Sequence, residues 1–156
     1  MLEALPYKPI IRTAIAADAV FIAQNNVTMA FETEGLLLNI DTCLKGVSGA
    51  ISDAAKGLYL VAELEGELAG NLMITKEWSD WRNSWIYWLQ SVFVLPAFRG
   101  KGVFKALLEG AVEIARQENS PSIRLYVENT NYKAIAAYLK TGFNDSHYKV
   151  LEKTII

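Results

Sequence analysis

The run Ile86-Tyr87-Trp88-Leu89-Gln90-Ser91-Val92-Phe93-Val94, then Leu95-Pro96, then Arg99-Gly100-Lys101-Gly102-Val103-Phe104, decides the fold. The first nine residues are almost continuously apolar and rich in β-branched and aromatic types, which suits a strand buried on both faces. Proline ends the strand, since it has no N–H to give a ladder and restricts the residue before it. Beyond the glycines, Phe104, Leu107, Leu108, Ala111, Ile114 and Ala115 recur at helical spacing, so Gln90 to Glu118 reads as strand, glycine turn, helix. The first-turn N–H groups of a helix have no intrahelical partner and lie at the positive end of its dipole. Glycines at that mouth admit a ligand close to the backbone, and a diphosphate is the ligand such a site fits best. Alone, the glycine pair is a weak signal and reads first as a plain strand-to-helix turn that requires φ > 0. It forms neither G-x-G-x-x-G, whose third glycine would fall at Lys105, nor a P-loop.

A second stretch adds specificity. A strand over Ser122–Glu128 is followed by Asn131, Ala134, Tyr138, Gly142 and Phe143 in the pattern N-x-x-A-x-x-x-Y-x-x-x-G-F. In this order the two motifs resemble the GCN5-related N-acetyltransferase (GNAT) superfamily. There the first motif is the acetyl-CoA pyrophosphate loop, Q/R-x-x-G-x-G/A, and the tyrosine of the second commonly protonates the departing CoA thiolate. One departure stands out: the sixth loop position, usually Gly or Ala, is Phe104, whose helical phase lets its ring turn into the core.

Composition bounds the rest. At 156 residues the chain is expected to form one domain over 1–156, burying about two thirds of its surface. Fifteen basic against seventeen acidic residues argue against a nucleic-acid surface, and no segment reaches the ~20 apolar residues of a membrane span. A single Cys43 rules out an intrachain disulfide, and with only His147 beside it no usual zinc site can form, so no metal is expected. Cys43 reads as packing. The N-terminal MLEALPYKPIIRTA lacks a secretory pattern, which makes a cytoplasmic protein the expectation.

In chain order, Lys8–Thr13 reads as a strand and Ala17 to about Thr33 as an amphipathic helix stopped near Gly35. A second helix, capped by Asn39 or Asp41, runs to about Lys56. Leu58–Leu64 and Leu68–Thr75 form a hairpin through Glu65-Gly66, and a last strand spans about His147 to Lys153, with a further one at Phe143. This is α/β. The resemblance implies a mixed, mostly antiparallel sheet of six to seven strands with about four helices. Its fourth and fifth strands splay apart, and the pantetheine arm lies between them as an added strand.

The resemblance also distributes roles. Backbone groups of Val92 and Val94 would hold the arm, with an amide near Phe93 or Val94 polarising the thioester. Arg99, Gly100, Lys101, Gly102, Val103 and Phe104 would cradle the diphosphate. Lys101, Lys105 and Lys133 are candidate phosphate contacts, with an ordinary solvated surface lysine the first reading of each. Asn131 would bond the arm or simply cap its helix. Tyr138 would be the catalytic acid, the alternative being an aromatic packing residue. For the acceptor, the region between the first helices offers Glu32 and Glu34. The stretch Glu77–Arg82, joining the third and fourth strands, offers Trp78, Asp80, Trp81 and Arg82 as an acceptor or dimer surface. Gln90 and Ser91 interrupt an apolar strand, so one of them is expected to face the cleft. The function expected is acetyl-CoA-dependent N-acetylation of a small-molecule amine, or of a peptide N-terminus or lysine, by a monomer or homodimer. A CoA-binding module without turnover and a nucleotide-binding protein are the competing classes.

Overall fold

The computed structural model describes residues 7–156, so the start of the N-terminal reading, residues 1–6, lies outside the described residues. Two compact units are present, one ending at Leu125 and one spanning Tyr126–Ile156.

The first unit holds a five-stranded sheet in the order β1-β2-β3-β4-β5. Its strands are β1 (Ile10–Thr13), β2 (Leu58–Leu64), β3 (Glu67–Ser79), β4 (Ser84–Val94) and β5 (Ile123–Arg124). All neighbours are antiparallel except β4 and β5. Helices α1 (Ala19–Glu34) and α2 (Ile40–Ser52) lie on one face. From them Ile22, Ala23, Val47 and Ala50 meet Tyr59 and Val61 of β2, with half-buried Cys43 packed against the group as expected. Helix α3 (Val103–Gln117) lies on the other face, burying Val103, Leu107, Leu108, Ala111 and Ala115.

Local chemistry explains the boundaries. Gly35 ends α1 at φ 65°, a left-handed position that costs glycine nothing. Asn39 starts α2, its Oδ1 accepting from the N–H of Thr42 at 2.9 Å. Glu65 (φ 55°) and Gly66 (φ 81°) make the β2–β3 hairpin turn. Helix α2 stops at Ser52, short of Lys56, because Asp53 is extended and opens a turn in which its carboxylate accepts from Ala55 N–H.

Four expectations need correction. The sheet has five strands among the described residues, where six to seven were expected. The expected strand Ser122–Glu128 is reduced to Ile123–Arg124, because pairing with β4 covers only Tyr87–Ile123 and Trp88–Arg124. His147–Lys153 and Phe143 form no strand among the described residues. Apolar Tyr148, Val150 and Leu151 make a strand plausible from sequence, but a strand also needs a partner's N–H and C=O groups. Finally, β3 runs on to Ser79, so Trp78 is a strand residue, and only Asp80–Asn83 make the turn into β4.

The second unit contains α4 (Tyr132–Lys140). Asn131 caps it through a 3.2 Å bond from Ala134 N–H to its Oδ1, so the capping role is met.

Candidate active site

Three features of the first unit converge at the C-terminal end of β4. The first is an open strand edge. After Trp88, β4 pairs with β3 alone, since β5 stops at Arg124, so among the described residues the other edge of β4 is free of a strand partner from there on. Leu95 N–H bonds to Ala69 carbonyl at 2.9 Å, which puts Leu95 on the β3 side and, by alternation, the backbone of Val94 on the open edge. Phe93 carbonyl faces β3, since a Cβ built on Gly70 would stand 2.6 Å from it. The backbone groups turned to the open edge are therefore those of Val92 and Val94, and Phe93 belongs to the ladder.

The second feature is the glycine turn. Gly100 (φ 76°) and Gly102 (φ 82°) both occupy the left-handed region, and nothing lies within 4 Å of a Cβ built on either. Gly102 is the residue before α3, so the turn delivers the unpaired first-turn N–H groups of a fifteen-residue helix. A cavity of about 350 Å³ opens there, lined by Val94, Phe98, Arg99, Gly100, Gly102, Val103, Phe104 and Lys105. Val103 takes the core position at 1% exposure, while half-buried Phe104 forms cavity wall. This corrects the expectation that Phe104 turns into the core.

Arg99 is the third feature. Its Nε donates to Val94 carbonyl at 3.0 Å, Nη2 lies 3.4 Å from Glu32 Oε2, and the guanidinium covers the Phe93 ring at 5.5 Å. Its side chain thus ties the loop to β4 and to the last turn of α1. Glu32, a candidate acceptor contact, is engaged in that tie, and Glu34 is exposed at the end of α1. Lys101 Nζ lies over the Phe98 ring at 5.6 Å, and Lys105 Nζ is 3.7 Å from Glu109.

Register separates the remaining candidates by face. Asn71 of β3 bonds to Asn25 of α1, so Thr75 and Glu77 share the α1–α2 face, whereas Gly70 meets Leu107 of α3 and puts Trp78 on the opposite face. Trp78 meets Trp85 edge-on at 5.1 Å, and Trp81 stands 83% exposed at the turn. Asp80 accepts from Trp81 N–H at 2.9 Å, and Arg82 Nη1 reaches Ser79 Oγ at 3.4 Å. On the α1–α2 face a polar group appears that sequence reasoning missed, apart from Gln90. Gln90 Nε2 donates to Thr75 Oγ1 at 2.8 Å. Glu77 Oε2 accepts from Trp88 Nε1 at 3.0 Å and from Arg124 Nη1 at 3.2 Å. Trp88 and Arg124 are the last β4–β5 pair, so this group marks the fork. Only the register reveals it.

In the second unit, Tyr138 packs edge-on against Phe143 at 5.5 Å. Burial pushes its phenol up to about 12, so it keeps its proton throughout the neutral range. Lys133 is exposed on the first turn of α4.

An α/β sheet forked between its fourth and fifth strands, with a glycine turn feeding a helix at the fork, defines a class of protein. The model of the Acetyltransferase (GNAT) family matches residues 29–143, and the chain belongs to that family, whose co-substrate is acetyl-CoA. A possible acetyltransferase from Clostridium difficile 630 is 38% identical, with a TM-score of 0.88 over 95% of this chain and 98% of that one. An uncharacterised N-acetyltransferase of Archaeoglobus fulgidus is 36% identical over 80 residues, 51% of this chain and 54% of that protein. The chain spans about half the length of the curated relatives it matches. A predicted acetyltransferase with acetyl-CoA from Clostridium acetobutylicum shares the fold at a TM-score of 0.76 and 16% identity, over 94% of this chain and 96% of that one. No described helix is long and apolar enough to cross a membrane.

Proposed function

We propose that this chain transfers the acetyl group of acetyl-CoA to a primary amine by direct attack within a ternary complex. The observation that carries the reading is the meeting of an open β4 edge, ending at Val94, with the cavity at the Gly100–Gly102 turn. A diphosphate on the α3 N–H groups leaves its attached arm to run along that edge, pairing with the backbone of Val92 and Val94. The amine attacks the thioester carbonyl in its neutral form. The developing oxyanion, at the end of the arm away from the turn, takes a hydrogen bond from an edge amide, that of Val92. As the C–S bond breaks, the thiolate takes the proton of Tyr138, the amine nitrogen gives up its own proton to solvent, and the phenolate is reprotonated from solvent to restore Tyr138. Asn131 Oδ1 is committed to the α4 cap, so its Nδ2 is the group offered to the arm. The acceptor enters from the α1–α2 face at the fork, where Glu77 supplies negative charge and Gln90 and Thr75 supply polar contacts. With one half-buried cysteine and no disulfide to form, the cytoplasm suits the protein.

The test pairs calorimetry with a thiol-release assay. CoA should bind, and acetyl-CoA should release thiol in the presence of some member of a panel of amines, amino acids and peptides. Binding without release over the whole panel would make the chain a CoA-binding module instead, and binding of ATP or NAD in competition with CoA would favour a nucleotide site.

A further inference from the structure

Two primary amides are buried in the first unit, Asn25 of α1 at 4% exposure and Asn71 of β3 at 0%. Such groups are costly to bury unless they are bonded, and an apolar residue would serve the core as well. Here they form a chain. Asn25 Nδ2 donates to Asn71 Oδ1 at 2.7 Å, and Asn71 Nδ2 donates to Ser91 carbonyl at 2.8 Å. The end of the chain sets its direction: a backbone carbonyl only accepts, so the NH₂ of Asn71 must face Ser91 and its oxygen must face Asn25.

Ser91 is the irregular residue of β4. Its φ is 51°, a left-handed value uncommon for a residue with a Cβ. The β3–β4 register slips by one between Asn71–Phe93 and Met73–Gln90, so β4 carries one extra residue at Ser91–Val92. A bulge inverts the inward and outward alternation beyond it. That inversion puts the Phe93 carbonyl on β3 and leaves Val92 and Val94 on the open edge.

We propose that Asn71, oriented by Asn25, is a positioning residue that holds the Ser91 bulge and so aims the Val92–Val94 backbone at the pantetheine arm. The inference rests on the reading of that edge as the arm's track. Asn71 touches neither substrate nor reacting atoms; it acts through the strand.

The experiment compares two ligands by calorimetry. CoA uses the glycine turn and the β4 edge, whereas adenosine 3′-phosphate 5′-diphosphate, which lacks the arm, uses the turn alone. In Asn71→Leu, CoA should bind about tenfold more weakly, as for one or two lost backbone bonds, while the nucleotide stays within about twofold of wild type. Asn25→Ala, which keeps the Ser91 bond but releases the Asn71 amide, should shift the same ratio by about threefold and carries the comparison should Asn71→Leu not fold. A folded variant in which both affinities fall together, or neither falls, overturns the positioning role. Wild-type protein that binds neither ligand overturns the groove reading itself, and the inference with it.

Discussion

Arg99 donates from Nε to the carbonyl of Val94 at 3.0 Å, so the glycine turn is pinned by its first side chain to the end of the open strand. The guanidinium is spent on the scaffold and on Glu32, which leaves the backbone of residues 100–104 to meet a diphosphate. Gly102 is the sensitive point. Gly102→Ala adds a Cβ into open space at φ 82°, a strain of about 1 kcal/mol without charge. Gly102→Glu adds the same strain and a negative charge at the positive end of α3. Calorimetry should find CoA binding weakened a few-fold in the first variant and abolished in the second, with far-UV dichroism unchanged in both. Equal affinities in the two would remove the anion-site reading.

Gly70 lies across the ladder from Val94. A Cβ there would sit 2.6 Å from the Phe93 carbonyl and 3.3 Å from Val94 Cα, both backbone atoms that cannot swing aside. Gly70→Ala should therefore lower stability by about 1–3 kcal/mol in urea unfolding, the range for overpacking. A denaturation midpoint within error of wild type would show that β3 and β4 separate more easily than the packing implies.

The legible parts of this chain were those whose signal is local. Strand Leu58–Leu64, the Glu65-Gly66 turn, the Gly35 stop and the helix behind Gly102 each follow from periodicity or from a residue suited to a positive φ. Strand partners are not local. His147–Lys153 carries apolar Tyr148, Val150 and Leu151, yet no ladder receives it among the described residues. Likewise Glu77 reads as a loop acid until its register puts it across from Ile86, on the face of Trp88. Asn25 and Asn71 were invisible for the same reason: an asparagine in an apolar run says only that a partner is needed. The bulge at Ser91 showed as a polar interruption in the strand, but its φ could not be read from the residue type.

Asp18 is 3% exposed and receives two bonds from Arg12, 2.7 Å to Oδ2 and 3.1 Å to Oδ1, as well as Ile15 N–H at 2.8 Å. Arg12 also donates to Glu63 at 2.9 Å, which joins β1, the start of α1 and β2. The bonds from Arg12 hold the Asp18 carboxyl below its usual range, against the opposing effect of burial. A folded value below the unfolded one makes its contribution complete above the unfolded pKa, about 4, and drains it as pH falls through the depressed folded value. Asp18→Asn should cost about 1–3 kcal/mol at pH 7. The gap from wild type should narrow as the urea titration moves from pH 6 towards pH 3. A gap that does not change with pH would assign the loss to packing.

Glu77 accepts from both Trp88 and Arg124, the last residues paired before the strands part. Glu77→Gln keeps the shape and removes the charge. If the acceptor enters on this face as a cation, its KM should rise about tenfold, with acetyl-CoA affinity and the thermal midpoint little changed. Trp81→Ala, at the exposed turn, should leave the acceptor KM near wild type. A shift in KM for Trp81→Ala and none for Glu77→Gln would move the acceptor to the hairpin tip.

Tyr138 carries the last prediction. Its ring packs on Phe143 and burial raises its phenol to about 12, so the hydroxyl holds its proton wherever the enzyme is assayed. Tyr138→Phe keeps the ring and should leave folding nearly unchanged. If the hydroxyl protonates the thiolate, kcat should fall; a positioned acid is worth roughly 10²–10⁴-fold, and a CoA thiol leaves readily enough to favour the lower end. CoA affinity should drop by no more than about tenfold, for one lost hydrogen bond. The pH profile supplies a second readout. A group that titrates near 12 contributes no descending limb below about pH 10, so wild-type kcat should rise with amine deprotonation and then stay level. Wild-type kcat in the Phe variant, measured where chemistry limits the rate, would return Tyr138 to packing alone.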